Sequence, residues 1–130
     1  MARYGYMLLD QADADVNRQA MQLDTIGGYD RIFVDRRAKK PDEAGRVQRG
    51  RLIDILTAED ILYVASADRF CDNLRDFIGT AQAVTAAGAS LVILQEGLDT
   101  RSGTGRAMIR LMEAVAKTES SYQSERKTAG

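Results

Sequence analysis

The sequence predicts an α/β fold, a three-layer sandwich in which a mostly parallel sheet of 4-5 strands lies between helices, with a long C-terminal helix. Three observations predict this class. Short apolar runs alternate along the chain with segments of helical periodicity. Residues 61–65 are continuously apolar, which is typical of a strand buried on both faces of a parallel sheet. Residues 104–127 run for more than twenty residues without a helix breaker, so they predict one long helix.

The remaining elements follow from local patterns. Apolar runs predict strands at 4–9, 31–34, 61–65 and 91–94. Helical spacing of apolar residues predicts helices at 13–25, 46–57, 73–87 and 104–127, and Gly27 and Gly88 end two of them. Residues 35–45 are basic and contain Pro41, which predicts a loop, and residues 101–105 form a polar, glycine-rich turn.

Composition excludes several kinds of site. The 130 residues are 45% hydrophobic and 28% charged, as expected of one globular domain. Cys71 is the single cysteine and histidine is absent, so neither a zinc set nor a Ser-His-Asp or Cys-His triad can form. We therefore expect no metal and no cofactor. No apolar run approaches the roughly 18 residues of a membrane span, and a signal peptide is not evident, so we expect a cytoplasmic protein without a membrane partner.

Charge is unevenly distributed, although the formal net charge is only -1. Basic residues outnumber acidic ones between Arg31 and Arg51, a stretch that includes Arg46 and Arg49. Two interpretations stay open at this point: a patch that binds phosphates, or an ordinary solvated face.

The long C-terminal helix carries an apolar stripe. Met108, Leu111, Met112 and Val115 recur at helical spacing, and Tyr122 continues the line. A helix that outruns the sheet leaves its far end without cover from its own chain, which predicts a homodimer interface and leaves a tetramer open. The alternative is a final core helix that frays.

Acidic and basic residues follow two of the predicted strands. Asp10 comes after the first strand, and Asp68 and Arg69 follow the strand at 61–65. Ligands of open α/β sheets bind beyond the carboxyl ends of the strands, so these side chains are candidates for a site. The alternative is structural, with Asp68 capping the next helix and Arg69 forming a surface ion pair.

Several short fragments occur in a fixed order along the whole chain: Gly5-Tyr6, Gln19, Arg31-Ile32-Phe33 with Asp35, Asp60-Ile61-Leu62, Asp68-Arg69, Glu96-Gly97-Leu98-Asp99-Thr100, Gly105-Arg106 and Glu125-Arg126. Together they resemble the catalytic domain of serine recombinases, the resolvase/invertase family. The resemblance implies a DNA strand-exchange fold in which a serine after the first strand attacks a phosphodiester. It also implies that arginines surround the phosphate, a form of electrostatic stabilisation that uses no metal.

The resemblance fails at positions that this chemistry needs. The family's Tyr-Ala-Arg-Val-Ser-Thr motif aligns with residues 6–11, so the serine falls on Asp10 and an arginine falls on Leu8. In the family's Asp-Arg-Leu-Gly-Arg motif, the second arginine falls on Asp72. The pocket has thus lost two cations and gained two anions. The positions that still match the family are Gln19, Arg46, Asp68, Arg69, Glu125 and Arg126, and the resemblance implicates all of these except Glu125 in catalysis or phosphate binding.

The first hypothesis is therefore a serine-recombinase-like domain that no longer cleaves DNA and acts as a dimerising structural or regulatory module. We expect weak, salt-dependent DNA binding, since the chain stops where family members attach a helix-turn-helix domain and none is present. A second hypothesis is an active recombinase with an unorthodox nucleophile. A third is a receiver-like domain that binds magnesium or phosphate through Asp10 and Asp68.

Overall fold

The computed structural model describes residues 1–10, 13–37 and 45–129, and it describes their side chains except at 13–15 and 120–129. The elements follow one another in this order: β1 Arg3–Leu9, α1 Asp13–Asp24, β2 Arg31–Arg36, α2 Val47–Ile55, β3 Ile61–Val64, α3 Ala67–Phe70, α4 Leu74–Ala86, β4 Ser90–Ile93, β5 Leu98–Asp99 and α5 Gly103–Ala129. None of the helices in these residues is long and apolar enough to cross a bilayer.

Within the described residues, five strands form one sheet in the order β2-β1-β3-β4-β5. The first four strands are parallel, and β5 pairs antiparallel with β4. The predicted fold class is thereby confirmed. β1 lies near the centre, where Tyr6 stands opposite Phe33 on one side and Val64 on the other.

The sheet is covered on both faces because its central strands are apolar on both. On one face the core includes Tyr6, Leu8, Leu62 and Leu91, and it is covered by α2, α3, α4 and the start of α5. On the other face Met7 and Tyr63 pack with Leu23 of α1. All four residues of β3 are buried, as their continuous apolar run predicted.

Most predicted boundaries hold to within one or two residues, with three differences. β2 continues through Asp35 and Arg36 into the predicted loop, where Leu8 and Leu9 of β1 pair with it. The single turn α3 and the two-residue strand β5 were not predicted, because neither is long enough to show a period. Lys39, Lys40 and the other predicted loop residues at 38–44 lie outside the described residues, as does Gln11.

The start of α5 is fixed by close packing against β5. A Cβ atom on Gly105 would lie 2.0 Å from the carbonyl oxygen of Asp99, so only glycine fits there. The Ser102 hydroxyl accepts a hydrogen bond from the Gly105 amide at 3.0 Å, as an N-cap side chain does.

Candidate functional site

A charged cluster lies at the carboxyl end of the sheet, where the sequence predicted a site. The Asp10 carboxylate follows β1, and its Oδ2 is 3.4 Å from Nε of Arg37 and 3.6 Å from Nη1 of Arg69. Arg37 follows β2 and Arg69 belongs to α3, so three separate segments meet at one carboxylate oxygen. The structure thus brings together Asp10 and Arg69, and it adds Arg37 from the basic stretch between Arg31 and Arg51.

Gln19 lies near this cluster, and its side chain stabilises the backbone of β1. It is 2% exposed, and its amide bonds the main chain of Leu8 twice, accepting from the nitrogen at 3.1 Å and donating to the oxygen at 2.7 Å. The pairing of β1 with β3 ends at Tyr6, so the Gln19 side chain makes the backbone hydrogen bonds that a neighbouring strand would otherwise make. The Leu8 side chain is itself 2% exposed and belongs to the apolar core.

Arg46 occupies the centre of a second cluster. Its side chain is only 7% exposed, and it donates to the carbonyl oxygens of Arg69 and Phe70, both at 2.9 Å, and to Oδ1 of Asp72 at 2.7 Å. The hydrogen bond from Arg46 holds the pKa of Asp72 below its ordinary value. Burial alone would lower the pKa of Arg46, but the bonds to Asp72 and Tyr6 raise it.

Tyr6 and Asp35 connect this cluster to α2. The Tyr6 hydroxyl accepts from Arg46 at 3.2 Å and donates to Asp35 at 2.9 Å. Burial, together with the neighbouring Asp35, raises the pKa of Tyr6 although Arg46 opposes the change. Asp35 also accepts from the amides of Gln48 and Arg49, so it caps the first turn of α2 from another element.

Arg49 forms an internal clamp. It makes a two-pronged bond to Asp76, with both contacts at 2.9 Å, and it donates to the Phe70 carbonyl at 2.7 Å. Burial alone would raise the pKa of Asp76, but Arg49 holds it below its ordinary value. The Cys71 thiol lies 3.7 Å from Arg49, and burial and Asp76 raise the pKa of that thiol to about 11. A thiol of this kind is inert at neutral pH.

Asp68 lies at the rim. Its side chain is 74% exposed and Nε of Arg69 is 3.9 Å away. The hydroxyl of Ser66 donates to the Asp68 carboxylate. The amide of Ala67, the first of α3, donates to the Glu96 carboxylate at 2.9 Å. The structural alternative supposed that Asp68 caps the next helix, and it does not do so. Asn73 instead caps α4 through the amide of Asp76.

The predicted interface residues divide between two faces of α5. Met108, Leu111 and Val115 are exposed, by 38%, 65% and 46%. Met112 is partly buried against the core together with Ile109, a core residue that sequence reasoning missed. The side chains of Tyr122 and Arg126 are outside the described residues.

A cavity of about 540 Å³ borders the charged cluster. Apolar and charged side chains both line it. Its lining includes Phe77, Met108, Asp72, Glu96 and Arg37. Among the described residues, the acidic side chains form no group of three that could hold a metal ion.

Comparisons with known proteins identify related chains. Residues 7–130 match the family of resolvase N-terminal domains. The integrase-like protein y4lS of Sinorhizobium fredii is 25% identical over 130 residues, which span 100% of this chain and 70% of that protein. The transposon Tn501 resolvase of Pseudomonas aeruginosa is 28% identical over 131 residues, which span 98% of this chain and 67% of the resolvase.

Solved structures show the same fold. The N-terminal catalytic domain of TP901-1 integrase superposes with a TM-score of 0.78 at 18% identity, covering 92% of this chain and 97% of that one. A resolvase family site-specific recombinase from Streptococcus pneumoniae also gives a TM-score of 0.78, at 19% identity, covering 98% and 93%.

Proposed function

Since the chain belongs to the family of resolvase N-terminal domains, we propose that it is a degenerate member of the serine recombinases, the proteins of this family that carry out site-specific recombination. In this proposal the domain does not cleave DNA by the family mechanism. It serves as a dimerising structural or regulatory module in DNA recombination.

One observation carries the proposal. Both arginines that match the family near the reacting phosphate are paired with acids that stand where the family has a serine or an arginine. Arg69 lies 3.6 Å from Asp10, and Arg46 donates to Asp72 at 2.7 Å. The cations that would hold a phosphate are thus neutralised within the chain, and the acids would repel the phosphate.

Electrostatics indicates how large the effect is. A carboxylate about 4 Å from a phosphodiester repels it by about 1 kcal/mol in water and by several times more in a partly dry site. Loss of a single transition-state donor typically lowers the rate by about 100- to 1000-fold. Two lost cations and two added anions are therefore enough to remove detectable cleavage.

Other hydroxyl groups near the edge are poorly placed to replace the missing serine. Ser66 is 5% exposed and its hydroxyl bonds Asp68. The Ser102 hydroxyl donates to the carbonyl of Asp99 at 2.8 Å and accepts from Gly105 at the start of α5. Both hydroxyls are engaged in local hydrogen bonds, which disfavours an active recombinase with a displaced nucleophile.

The magnesium-binding alternative also finds little support. Magnesium binding would require Asp10 and Asp68, and Arg69 lies between these two acids, 3.6 Å from Asp10 and 3.9 Å from Asp68. A guanidinium group between two carboxylates neutralises them and opposes a second cation there.

The decisive experiment tests for a covalent protein-DNA adduct. The purified chain is incubated with supercoiled plasmid and then denatured, and labelled DNA that remains bound to protein is measured. We expect no adduct and no nicking. An adduct whose linkage maps to this chain would refute the proposal and establish the active alternative.

A restoration series provides the complementary test. Asp10→Ser with Asp72→Arg returns the hydroxyl and one cation without touching the core. Leu8→Arg is added in a second variant, with a melting curve as a folding control, because Leu8 is 2% exposed. We expect weak nicking from the variants and none from the unchanged chain. Nicking that is equally strong without any substitution would contradict the proposal.

DNA binding is expected to be weak and strongly dependent on salt. Arg46 and Arg49 are engaged internally, so alanine at either position would disturb the fold as well as DNA contacts. Arg36→Gln with Arg51→Gln is the cleaner test, because both side chains are exposed. Removing two phosphate contacts should lower the salt slope by about 2. Arg18→Gln with Lys117→Gln makes the same charge change elsewhere, and an equal slope change there would count against the patch.

A further inference from the structure

β2 is an edge strand with exposed apolar side chains. Among the residues that the structure describes, β2 pairs with β1 on one side, and no strand pairs with its other side. An edge of this kind presents a row of backbone groups to which a further strand can be added. Ile32 and Val34 of this strand are each 41% exposed. The free edge of β2 is therefore a candidate surface for strand pairing.

The backbone of β2 restricts the registers that a further antiparallel strand can take. Leu8 of β1 bonds Gln19 through its main chain, whereas the oxygen of the next residue, Leu9, accepts from the Arg37 amide at 2.9 Å. Since backbone groups alternate between the two sides of a strand, the even-numbered residues of β2 direct theirs toward the free edge. Opposed residues of an antiparallel pair are either both hydrogen-bonded or both not, so even-numbered residues must stand opposite even-numbered ones.

One of the allowed registers makes residues 30–36 complementary to themselves. The segment reads Asp-Arg-Ile-Phe-Val-Asp-Arg. In the register centred on Phe33, the opposed pairs are apolar near the centre and of opposite charge toward the ends: Ile32 with Val34, Arg31 with Asp35, and Asp30 with Arg36. A shift by two residues sets Asp30 against Val34 or Arg36 against Ile32, and these charge pairs are lost.

We propose that the free edge of β2 pairs with the β2 edge of a second copy of this chain, antiparallel and across a two-fold axis at Phe33. Opposed pairs of opposite charge and of apolar side chains stabilise such a contact. A two-fold contact also requires a surface that is complementary to itself, as this segment is. The interface lies at the end of the sheet opposite β5, against which α5 packs, so it is separate from the interface proposed for α5.

The charged side chains of this register are partly positioned by the chain itself. The Arg31 guanidinium lies over the Phe33 ring, 4.2 Å from its centroid, and the Asp30 carboxylate accepts from a backbone amide of β1 at 2.8 Å. Asp35 is 6% exposed and already caps α2, so it contributes charge to the pairing rather than a new hydrogen bond. Asp30 and Arg36 are both exposed, and their pair is the one that substitution can test.

Association is measured by sedimentation equilibrium on the whole chain carrying Leu111→Gln with Val115→Gln, a background in which the apolar stripe of α5 is removed. This background should dimerise weakly, and amide hydrogen exchange in residues 31–36 should slow as its concentration rises. Adding Arg36→Glu sets like charges opposite each other and should raise the dissociation constant about tenfold or more. Arg18→Glu makes the same charge change at an exposed position of α1 and should leave the constant unchanged.

A charge exchange separates the contact from a local effect on β2. Adding Asp30→Arg to Arg36→Glu restores opposite charges in the same register, so the dissociation constant should return to that of the background. Urea unfolding of each variant is the folding control, because the Asp30 carboxylate bonds the backbone of β1. Val34→Lys is the second variant, should the exchange unfold the chain: a lysine on an edge strand opposes pairing, so it should weaken association without changing the unfolding curve.

Three results would overturn the inference. They are a background that stays monomeric at the highest attainable concentration, equal effects of Arg36→Glu and Arg18→Glu, or a folded charge-exchange variant that does not regain association. The stripe of α5 is absent from every one of these measurements and no DNA is present. Failure here is therefore distinct from failure of the dimer and the loss of cleavage that the proposed function requires.

Discussion

At the scale of single residues, buried carboxylates tie remote parts of this chain together. Asp60 is 3% exposed and accepts hydrogen bonds from the Ala2 amide, the Thr57 amide and the Thr57 hydroxyl, at 2.8, 2.8 and 3.0 Å. Burial alone would raise the pKa of Asp60, but these bonds hold it below its ordinary value. The N-terminal strand is thereby fastened to the segment that precedes β3.

This carboxylate predicts a pH dependence. A pKa that is lowered by folding contributes stability above the unfolded pKa, about 3.9, and that contribution is lost as pH falls through the lower folded value. Asp60→Asn should cost about 1–3 kcal/mol at pH 7 and should flatten the decline of stability below pH about 4. Urea unfolding at several pH values measures both. A decline as steep in the variant as in the unchanged chain would show that other acids cause it.

Gly105 gives a second prediction at this scale. Gly105→Ala places a methyl group 2.0 Å from the Asp99 carbonyl oxygen, so β5 or α5 must move, at a cost of about 1–3 kcal/mol. Gly79→Ala in α4 is the matched control, since nothing lies within 4 Å of its Cβ position. That change should stabilise the chain by about 0.5–1 kcal/mol. Thermal or urea unfolding compares the two, and equal effects would contradict the packing argument.

At the scale of elements, α2 depends on a residue from a neighbouring strand. Asp35 of β2 accepts from the Gln48 and Arg49 amides and from the Tyr6 hydroxyl. Asp35→Ala should therefore cost about 2–4 kcal/mol, the loss of an N-cap plus an unsatisfied buried hydroxyl. A double-mutant cycle with Tyr6→Phe, measured by urea unfolding, separates the two contributions. A loss below about 0.5 kcal/mol would show that water replaces the cap.

The strands, the charged cluster and the cap of α2 differ in how far the sequence could predict them. The strands and long helices were predictable, because a buried apolar run such as that of β3 leaves a local signature. The place of Asp10 beyond β1 was also predictable, since parallel strands end at one edge. The pairing of Arg46 with Asp72 was not, because it joins the start of α2 to the end of α3 across 26 positions. Asp35 fell in a predicted loop, and only the pairing of β1 with β2 gives it a fixed position for capping α2.

At the scale of the whole molecule, α5 leaves several apolar side chains uncovered by its own chain. Its 27 residues would extend about 40 Å, and of its apolar side chains Ile109 and Met112 face the core while Leu111 and Val115 remain exposed. An exposed apolar stripe on a helix of this length is the surface that the proposed two-fold dimer would bury, with each copy covering the stripe of the other.

The proposed dimerisation can be tested separately from folding, because these side chains contribute little to the monomer core. Leu111→Gln with Val115→Gln should shift the chain from dimer to monomer in sedimentation equilibrium and raise the dissociation constant by about 100-fold or more, since about 1.5–3 kcal/mol is lost for each large apolar side chain that is no longer buried. Arg110→Gln with Lys117→Gln, at two exposed positions of α5 outside the apolar stripe, should leave the dissociation constant unchanged. The measurement does not depend on DNA cleavage, so a recombinase-like module that only assembles is still expected to form the dimer. A chain that is monomeric at high concentration without any substitution would leave α5 without the interface that the proposed function requires.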